Sequence, residues 1–169
     1  INMYIDAAAL VGSSSHETAD TIDKPMLVTG KEYESLEINS SLFIQLDTSS
    51  KGLRTSNTEQ WYWLFDQMDS FRGDNIFFFM KDSPDSFTDE LEGGLFKETL
   101  TKYTQSTGKN IWVFYKGAEN KSEMYRGIKY IECAGFDAEG INPDNADAAQ
   151  YVLVTVKGGK VTFAFKPIV

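Results

Sequence analysis

An unbroken apolar run, Ile76 to Met80, lies between two segments with helical spacing and limits the chain to few architectures. Such a run is typical of a β-strand covered on both faces, because no position in it is suited to face water. A second run of this kind, Ile111 to Tyr115, follows the second helical segment. Strands and helices in this order predict parallel βαβ units, since parallel neighbours are joined by a crossover helix.

The first helical segment starts with a capping-box pattern. Ser56 and Glu59 stand three residues apart, so we expect each side chain to accept a hydrogen bond from a free backbone N–H at the helix start. The following apolar residues recur at helical spacing and predict one buried stripe. This stripe consists of Trp61, Leu64, Phe65 and Met68. We expect the helix to end by Gly73.

The second helical segment is predicted from about Asp89 to Gln105. Ser86 and Asp89 mark its N-terminus, and Gly108 supplies its end. Its apolar residues fall close to one helical face, which we expect to be buried. They are Leu91, Leu95, Phe96, Leu100 and Tyr103.

Further strand patterns flank this βαβαβ core. Before it, a small antiparallel set is predicted from Met26 to Thr29, Tyr33 to Ile38 and Leu42 to Leu46. After it come a strand from Ile128 to Cys133 and two segments that predict an antiparallel hairpin, Tyr151 to Val156 and Val161 to Phe165. Gly158 and Gly159 between them accept the positive φ of a tight turn. We therefore expect an α/β fold with a mixed β-sheet, flanking helices and a C-terminal antiparallel hairpin.

Length and charge bound the domain organisation and the partners. The 169 residues suit a single domain, 1–169. The formal net charge is −9, and an acidic surface repels phosphate backbones and anionic lipids. No apolar stretch approaches the roughly 20 residues that cross a bilayer. Because the chain starts at Ile1 rather than Met, we expect a fragment or C-terminal part of a longer protein.

Residues for nucleophilic chemistry are few. His16 is the single histidine and lies in a Ser-rich stretch, where a solvated side chain is the expectation and a general base or metal ligand the alternative. The Gly-x-Ser-x-Gly pattern that would place a serine nucleophile is absent from the sequence. Cys133 is the single cysteine and lies in an apolar strand pattern, so we expect a packed, unreactive thiol.

Acidic residues cluster ahead of and within the second helix. They are Asp82, Asp85, Asp89, Glu90 and Glu92. Carboxylates suit calcium, but the spacing matches no calcium loop, so we expect Asp89 and Glu90 to complement the helix N-terminus and the others to be solvated. A second oxygen-rich segment holds Asp144, Asn145 and Asp147 and lacks the Gly and distant Glu of an EF-hand. The sequence predicts neither a metal site nor a cofactor.

Three consecutive aromatic residues lie on the first helix: Trp61, Tyr62 and Trp63. Neighbours on a helix point about 100° apart, so the three cannot all face the core. An outward Tyr62 or Trp63 is a candidate contact for a sugar ring or a partner protein. Packing beneath a neighbouring element is the alternative.

Three motifs follow one another along the chain: Leu42 to Asp47, Gln60 to Leu64 and Ile76 to Met80. Together they resemble the later half of a calcineurin-like metallophosphoesterase domain. In that family a strand ends in Leu-Asp, a helix carries Gln-Trp-Leu, and an apolar strand ends in a metal-binding His before Pro. A further strand then leads to Gly-His-x-His. The resemblance extends from about Tyr33 to Phe136 and is nearest to such domains in large secreted or surface-attached bacterial proteins.

The chain departs from the family at the metal ligands. Lys81 follows the strand where the family has His, and Ala118 stands in Gly-Ala-Glu-Asn where Gly-His-x-His would fall. An ammonium group has no lone pair for a metal, and a methyl group has no donor atom. The family's early Asp-x-His and Gly-Asp motifs have no counterpart, and the segment 14–17 is an eroded form of its Gly-Asn-His motif at most. The resemblance therefore implies a metallophosphoesterase-like fold that has lost its two-metal site.

The resemblance implies a pseudoenzyme: a non-catalytic accessory or interaction domain of a larger bacterial protein, extracellular or at the cell surface. The expected partners are other domains of the same polypeptide and a glycan, with Tyr62 and Trp63 as the candidate contact residues. No catalytic residue, metal ligand, nucleic acid or membrane insertion is predicted. One alternative is an active metal-dependent phosphoesterase completed by residues upstream of Ile1. A carbohydrate-binding module is the second.

Overall fold

The computed structural model describes residues 8–10, 26–28, 32–134 and 150–167. Ten strands and three α-helices lie in these ranges. The strands are β1 (Ala8–Leu10), β2 (Met26–Val28), β3 (Glu34–Ile38), β4 (Ser41–Gln45), β5 (Asn75–Met80), β6 (Asn110–Lys116), β7 (Lys121–Tyr125), β8 (Ile128–Cys133), β9 (Gln150–Lys157) and β10 (Lys160–Pro167). The α-helices are α1 (Leu53–Ser56), α2 (Gln60–Ser70) and α3 (Glu90–Thr107).

Six strands form a mixed sheet in the order β3-β4-β5-β6-β8-β7. The four inner strands are parallel, and the two edge strands pair antiparallel. Helices α2 and α3 are the crossovers from β4 to β5 and from β5 to β6. The mixed α/β architecture with parallel βαβ units is confirmed.

The central strands are buried on both faces, as their continuous apolar runs predict. Alternate residues of a strand point to opposite faces, and β5 divides its side chains accordingly. Ile76, Phe78 and Met80 join the cluster beneath the helices, whereas Phe77 and Phe79 join the cluster beneath the hairpin. Residues 32–134 and 150–167 therefore form three layers: helices, sheet and hairpin.

The C-terminal hairpin is confirmed, with β9 and β10 in antiparallel register and Gly158 at φ 59°. Its inner side chains, such as Val154 opposite Phe163, pack on the sheet. Two asparagines at the start of β5 and β6 fasten its turn to the sheet. Asn75 Nδ2 donates to the Gly158 carbonyl at 2.9 Å, and Asn110 Nδ2 donates to the Gly159 carbonyl at 2.6 Å.

Helix α3 begins and ends close to the predicted positions. Asp89 is its N-cap and accepts hydrogen bonds from the backbone N–H groups of Leu91 and Glu92, and Gly108 ends it at φ 71°. The predicted buried face is wrong in part, because Leu91 and Leu95 are exposed while Phe96 and Leu100 are buried. The first turn lies with Gly93 against Pro84, where a Cβ would stand 2.1 Å from the Pro84 carbonyl oxygen. This contact turns Glu92 and Gly93 inward and Leu91 outward.

The start of α2 also differs from the prediction. Ser56 is the last residue of α1, where its hydroxyl donates to the Gly52 carbonyl and accepts from Ser50 N–H. Glu59 is the N-cap of α2 and makes no side-chain capping bond, so the predicted capping box is wrong. Leu64 and Met68 are buried as expected, but Phe65 is exposed.

Two strand predictions need correction. Tyr33 to Ile38 and Leu42 to Leu46 do form an antiparallel pair as β3 and β4, but Met26–Val28 pairs in parallel with Ala8–Leu10 in a separate two-stranded sheet. Strand β7 was not predicted, because its residues are mostly polar and exposed at the sheet edge.

No helix in the described ranges is both long and apolar enough to span a membrane.

Candidate functional site

The carboxyl ends of the four parallel strands meet at one edge of the sheet, which is where open α/β sheets bind their ligands. This carboxyl edge consists of the segments that follow β4, β5, β6 and β8. It therefore holds the two segments in which the resemblance would place metal-binding histidines, 81–84 and 117–120.

Thr48 and Asp82 join the first two segments of the carboxyl edge. The Thr48 hydroxyl donates to Asp82 Oδ2 at 3.0 Å and accepts from the Asp82 backbone N–H at 3.0 Å. Thr48 is fully buried and Asp82 is half-buried. One lone pair of this carboxylate is thus occupied within the protein.

Gln60, the first residue of α2, holds the end of β4 from the other side. Its side-chain carbonyl accepts from Asp47 N–H at 2.7 Å, and its Nε2 donates to the carbonyls of Asp47 at 3.0 Å and Leu53 at 3.1 Å. The side chain is fully buried, so these bonds satisfy a polar group that would be costly to leave unpaired. In this structure the side chain of Gln60, the Gln of the Gln-Trp motif, holds the backbone of Asp47 and Leu53 in place.

Glu132 organises the segment after β6. Its Oε1 accepts from Ala118 N–H at 2.8 Å and Glu119 N–H at 3.1 Å, and its Oε2 lies 3.1 Å from Lys121 Nζ. Burial raises the pKa of this carboxyl, but the Glu119 N–H, the Lys121 ammonium and the Ala118 N–H together outweigh burial and lower the pKa below its ordinary value. Glu132 is therefore an ionised structural anion at neutral pH.

Gly117 allows Glu132 to approach the loop so closely. A Cβ at position 117 would stand 2.0 Å from Glu132 Oε1, a distance that no side chain could accommodate. The glycine of the Gly-Ala-Glu-Asn segment is thus explained by the carboxylate packed against it. The loop after β6 therefore packs around the Glu132 carboxylate.

Lys81 and Ala118, the positions aligned with imidazole ligands, are both exposed. The Lys81 carbonyl accepts from Lys116 N–H at 3.2 Å, so β5 and β6 continue to pair up to this point. Within the described part of the chain, no group of three or more His, Cys, Asp and Glu side chains is placed to hold a metal ion. The Asp82 and Glu132 carboxylates at the carboxyl edge instead accept hydrogen bonds from the segments after β4 and β6.

Of the other candidate residues, His16 and the segment with Asp144, Asn145 and Asp147 lie outside the described residues. Cys133 packs, partly buried, against the cluster beneath the hairpin. Burial raises the pKa of its thiol to about 11, and the charge of Glu132 adds to that effect. A thiol with this pKa is not a nucleophile at neutral pH.

The acidic cluster is used for helix placement. Asp89 caps α3 and pairs with Arg54 at 2.7 Å, and Asp85 pairs with Lys97 at 3.0 Å. Glu92 is buried rather than solvated, contrary to the prediction. Its Oε1 accepts from Arg54 N–H at 2.8 Å and Trp61 Nε1 at 2.7 Å, which joins α3 to α1 and α2.

The three aromatic residues of α2 divide as the helical geometry requires. Trp61 faces α3, with its ring 6.2 Å from that of Phe96, and Trp63 packs on Tyr33 at 4.7 Å on the other side of the helix. Tyr62 is 82% exposed. Of the two candidate contact residues, Tyr62 is thus exposed, whereas Trp63 is packed against Tyr33.

Tyr62 is one of four large apolar side chains exposed on the helix layer, here together called the helix patch. Trp61 contacts Phe65 of α2 and Phe96 of α3 and so links the two helices. Leu91 is 85% exposed and lies one helical turn from Leu95. The helix patch consists of Tyr62, Phe65, Leu91 and Leu95.

Two of the polar residues that build the carboxyl edge, Thr48 and Glu132, were not predicted from the sequence. Asp82 was expected to be solvated and Gln60 was noted only as part of the Gln-Trp motif, because a sequence does not show which groups these side chains will meet. The signal available for Glu132 was a charged residue between Ile131 and Cys133 in an otherwise apolar strand.

Neither the models of known protein families nor the curated proteins give a match to this chain.

Proposed function

We propose that this chain is a non-catalytic interaction domain of a larger bacterial extracellular protein, with a metallophosphoesterase-like fold that has lost its metal ligands. The observation that carries the proposal is the chemistry of the carboxyl edge. Lys81 and Ala118 stand where two imidazoles would be needed, and two carboxylates beside them already accept hydrogen bonds from neighbouring segments: Asp82 from the Thr48 hydroxyl, and Glu132 from the Ala118 and Glu119 backbone N–H groups.

The charge at Lys81 argues further against a bimetallic centre. An ammonium at the end of β5 repels divalent cations and offers no lone pair. Both oxygens of the Glu132 carboxylate are already engaged, Oε1 by two backbone N–H groups and Oε2 by the Lys121 ammonium. A metal at Oε2 would have to lie beside the Lys121 ammonium, whose charge repels it.

The helix patch supports interaction as the remaining role. Several large apolar side chains exposed on one layer of a fold are typical of surfaces that contact another protein. Tyr62 and Leu91 are among the most exposed large apolar residues of the described chain. An interaction domain needs such a surface, whereas a catalytic domain needs a constellation of reactive groups.

Metal content and turnover test the proposal together. The purified chain, loaded with excess Mn²⁺ or Zn²⁺ and then desalted, is expected to retain substoichiometric metal and to leave a chromogenic phosphodiester unhydrolysed. A Lys81→Leu variant removes the repelling charge without adding a donor atom, so the same result is expected of it. Stoichiometric metal with turnover in the wild-type chain would establish the active phosphoesterase instead.

Glycan contact is a second candidate, on the single observation that the Tyr62 ring is free to stack on a sugar. Trp63 does not extend this surface, since it packs on Tyr33. Tryptophan and tyrosine fluorescence, titrated with polysaccharides, measures this contact. A glycan-dependent change that disappears in Tyr62→Ala but persists in Tyr33→Phe would support it.

A further inference from the structure

The hairpin layer differs in charge from the rest of the chain. From Gln150 to Pro167 the sequence contains Lys157, Lys160 and Lys166 and no acidic residue. The hairpin thus contributes +3 to a chain of −9, so the other residues carry −12. This segregation places a basic surface on an otherwise acidic protein.

The strand register shows how the basic surface is arranged. Val152, Val154 and Val156 pack on the sheet, so the alternate residues of β9 point outward. On this hairpin face, Tyr151 stands opposite Lys166, Leu153 opposite Ala164 and Lys157 opposite Lys160. Tyr151 and Leu153 are about half exposed, at 50% and 46%. The hairpin face therefore carries an apolar strip of Tyr151, Leu153 and Ala164 beside a threonine pair, Thr155 and Thr162, and lysines lie at both ends.

The helix patch has the complementary composition. Its apolar residues Tyr62 and Phe65 share the exposed side of α2 with Glu59, Asp66 and Asp69, all of them exposed. No Lys or Arg lies between Glu59 and Ser70. Apolar side chains bordered by acids match an apolar strip bordered by lysines.

The two surfaces lie on opposite sides of the molecule. The helices cover one face of the sheet and the hairpin covers the other, so the helix patch and the hairpin face point in opposite directions. Within one copy they cannot meet. Between copies, complementary surfaces on opposite sides give head-to-tail contacts, which extend into an open chain of subunits.

We propose that a second copy of this chain is the partner: the hairpin face of one copy docks on the helix patch of the next. This rests on the proposed role as an interaction domain and names its partner. A symmetric contact of helix patch with helix patch is disfavoured, because it would bring Asp66 and Asp69 of two copies together. The hairpin face would likewise oppose its own lysines.

Two exposed double variants test the proposal. Leu91→Ser with Leu95→Ser alters the helix patch, and Tyr151→Ser with Leu153→Ser alters the hairpin face. All four side chains are at least 46% exposed, so both variants are expected to keep the wild-type circular dichroism spectrum and urea midpoint. Each variant retains one intact surface.

Sedimentation velocity over a range of protein concentrations is the measurement. The average mass of the wild-type chain is expected to rise beyond a dimer with concentration and to fall when salt is added, since the contact includes ion pairs. Each variant alone is expected to remain at the monomer mass of 19.0 kDa. An equimolar mixture of the two is expected to form a 1:1 complex that grows no further, because it contains a single intact pair of surfaces.

Three results would overturn the proposal: a wild-type chain that stays monomeric at every concentration, a hairpin-face variant that still dimerises by itself, or a mixture that stays monomeric. None of these results bears on metal content or turnover, which decide the proposed non-catalytic role independently. A monomeric wild-type chain without metal would leave that role standing and remove the self-association alone.

Discussion

Glu132 is the residue on which the loop after β6 depends. Its carboxylate accepts two backbone N–H groups and faces Lys121, while Gly117 makes room for it. In the resembled family this loop presents metal-binding imidazoles, and here it surrounds a carboxylate of its own sheet. The contribution of Glu132 to stability is therefore measurable by itself.

Glu132→Gln keeps the side-chain volume but replaces the anion with a neutral amide. We expect it to lower the free energy of unfolding by about 1–3 kcal/mol, because two partly buried N–H donors and Lys121 lose an ionised partner. Urea unfolding at neutral pH measures the change. Glu119→Gln is the matched control, since Glu119 meets the same Lys121 at 3.4 Å but is exposed, and it should stay within about 0.5 kcal/mol of wild type. Equal effects of the two variants would contradict this account.

The contribution of Glu132 should also depend on pH. The pKa of its carboxyl is lower in the folded chain than the ordinary 4.5, so ionisation favours folding. The stabilisation is complete above the unfolded pKa and is lost as the pH falls through the folded pKa. The difference in unfolding free energy between wild type and Glu132→Gln is thus expected to shrink from about pH 7 to about pH 3. A difference that is constant with pH would show that the charge plays no part.

The thiol of Cys133 gives a third prediction at this scale. A pKa of about 11 instead of 9.0 leaves roughly 100-fold less thiolate near pH 8. Alkylation by iodoacetamide is expected to be about 10-fold slower or more in the folded chain than in the urea-unfolded chain, because the greater nucleophilicity of a high-pKa thiolate offsets part of the loss of thiolate. Equal rates in the folded and unfolded chains would mean that Cys133 is accessible and ionisable.

Helix α3 shows how a single close contact sets the orientation of a whole element. Gly93 packs against the Pro84 carbonyl, and this contact sets the rotation of the first helical turn. In this orientation Leu91 and Leu95 are exposed, and they form half of the helix patch. Gly94, the neighbour of Gly93, is exposed and has no atom within 4 Å of an added Cβ. Packing against Pro84 therefore requires a glycine at position 93 but not at position 94.

Alanine at the two positions separates packing from helix propensity. Gly94→Ala is expected to stabilise the chain by about 0.5–1 kcal/mol, because alanine is the better helix former and nothing obstructs it. Gly93→Ala is expected to destabilise it, since the Cβ would stand 2.1 Å from backbone that belongs to another element. Thermal unfolding of the two variants is the comparison. Stabilisation by both would show that α3 is free to shift away from Pro84.

At the scale of the molecule, much of the layered α/β fold follows from local patterns. Runs such as Ile76 to Met80 predict central strands because two-sided burial leaves no polar alternation. Asp89 and Gly108 mark the ends of α3 by capping chemistry, and Gly158 predicts the hairpin by its positive φ. These signals act within a few residues, so they are visible in the sequence.

The rest depends on contacts between distant residues. The Ser56 hydroxyl already bonds Ser50 N–H and the Gly52 carbonyl, so it does not cap α2 as the capping-box pattern predicts. Strand β7 is stabilised by its pairing with β8 and not by its own composition. The partners of Glu132 and Gln60 lie 7–14 residues away, and sequence spacing does not predict such bonds. For this reason the polar carboxyl edge was found from the structure.

Paramagnetic broadening by Mn²⁺ tests the non-catalytic carboxyl edge most directly. In an isotope-labelled chain, Mn²⁺ broadens the amide signals of residues close to any bound ion. The account predicts that the signals of Thr48, Asp82 and Ala118 broaden no more than those of exposed residues elsewhere. Selective broadening of these three amides at low Mn²⁺ would place a metal ion at the carboxyl edge and contradict the account.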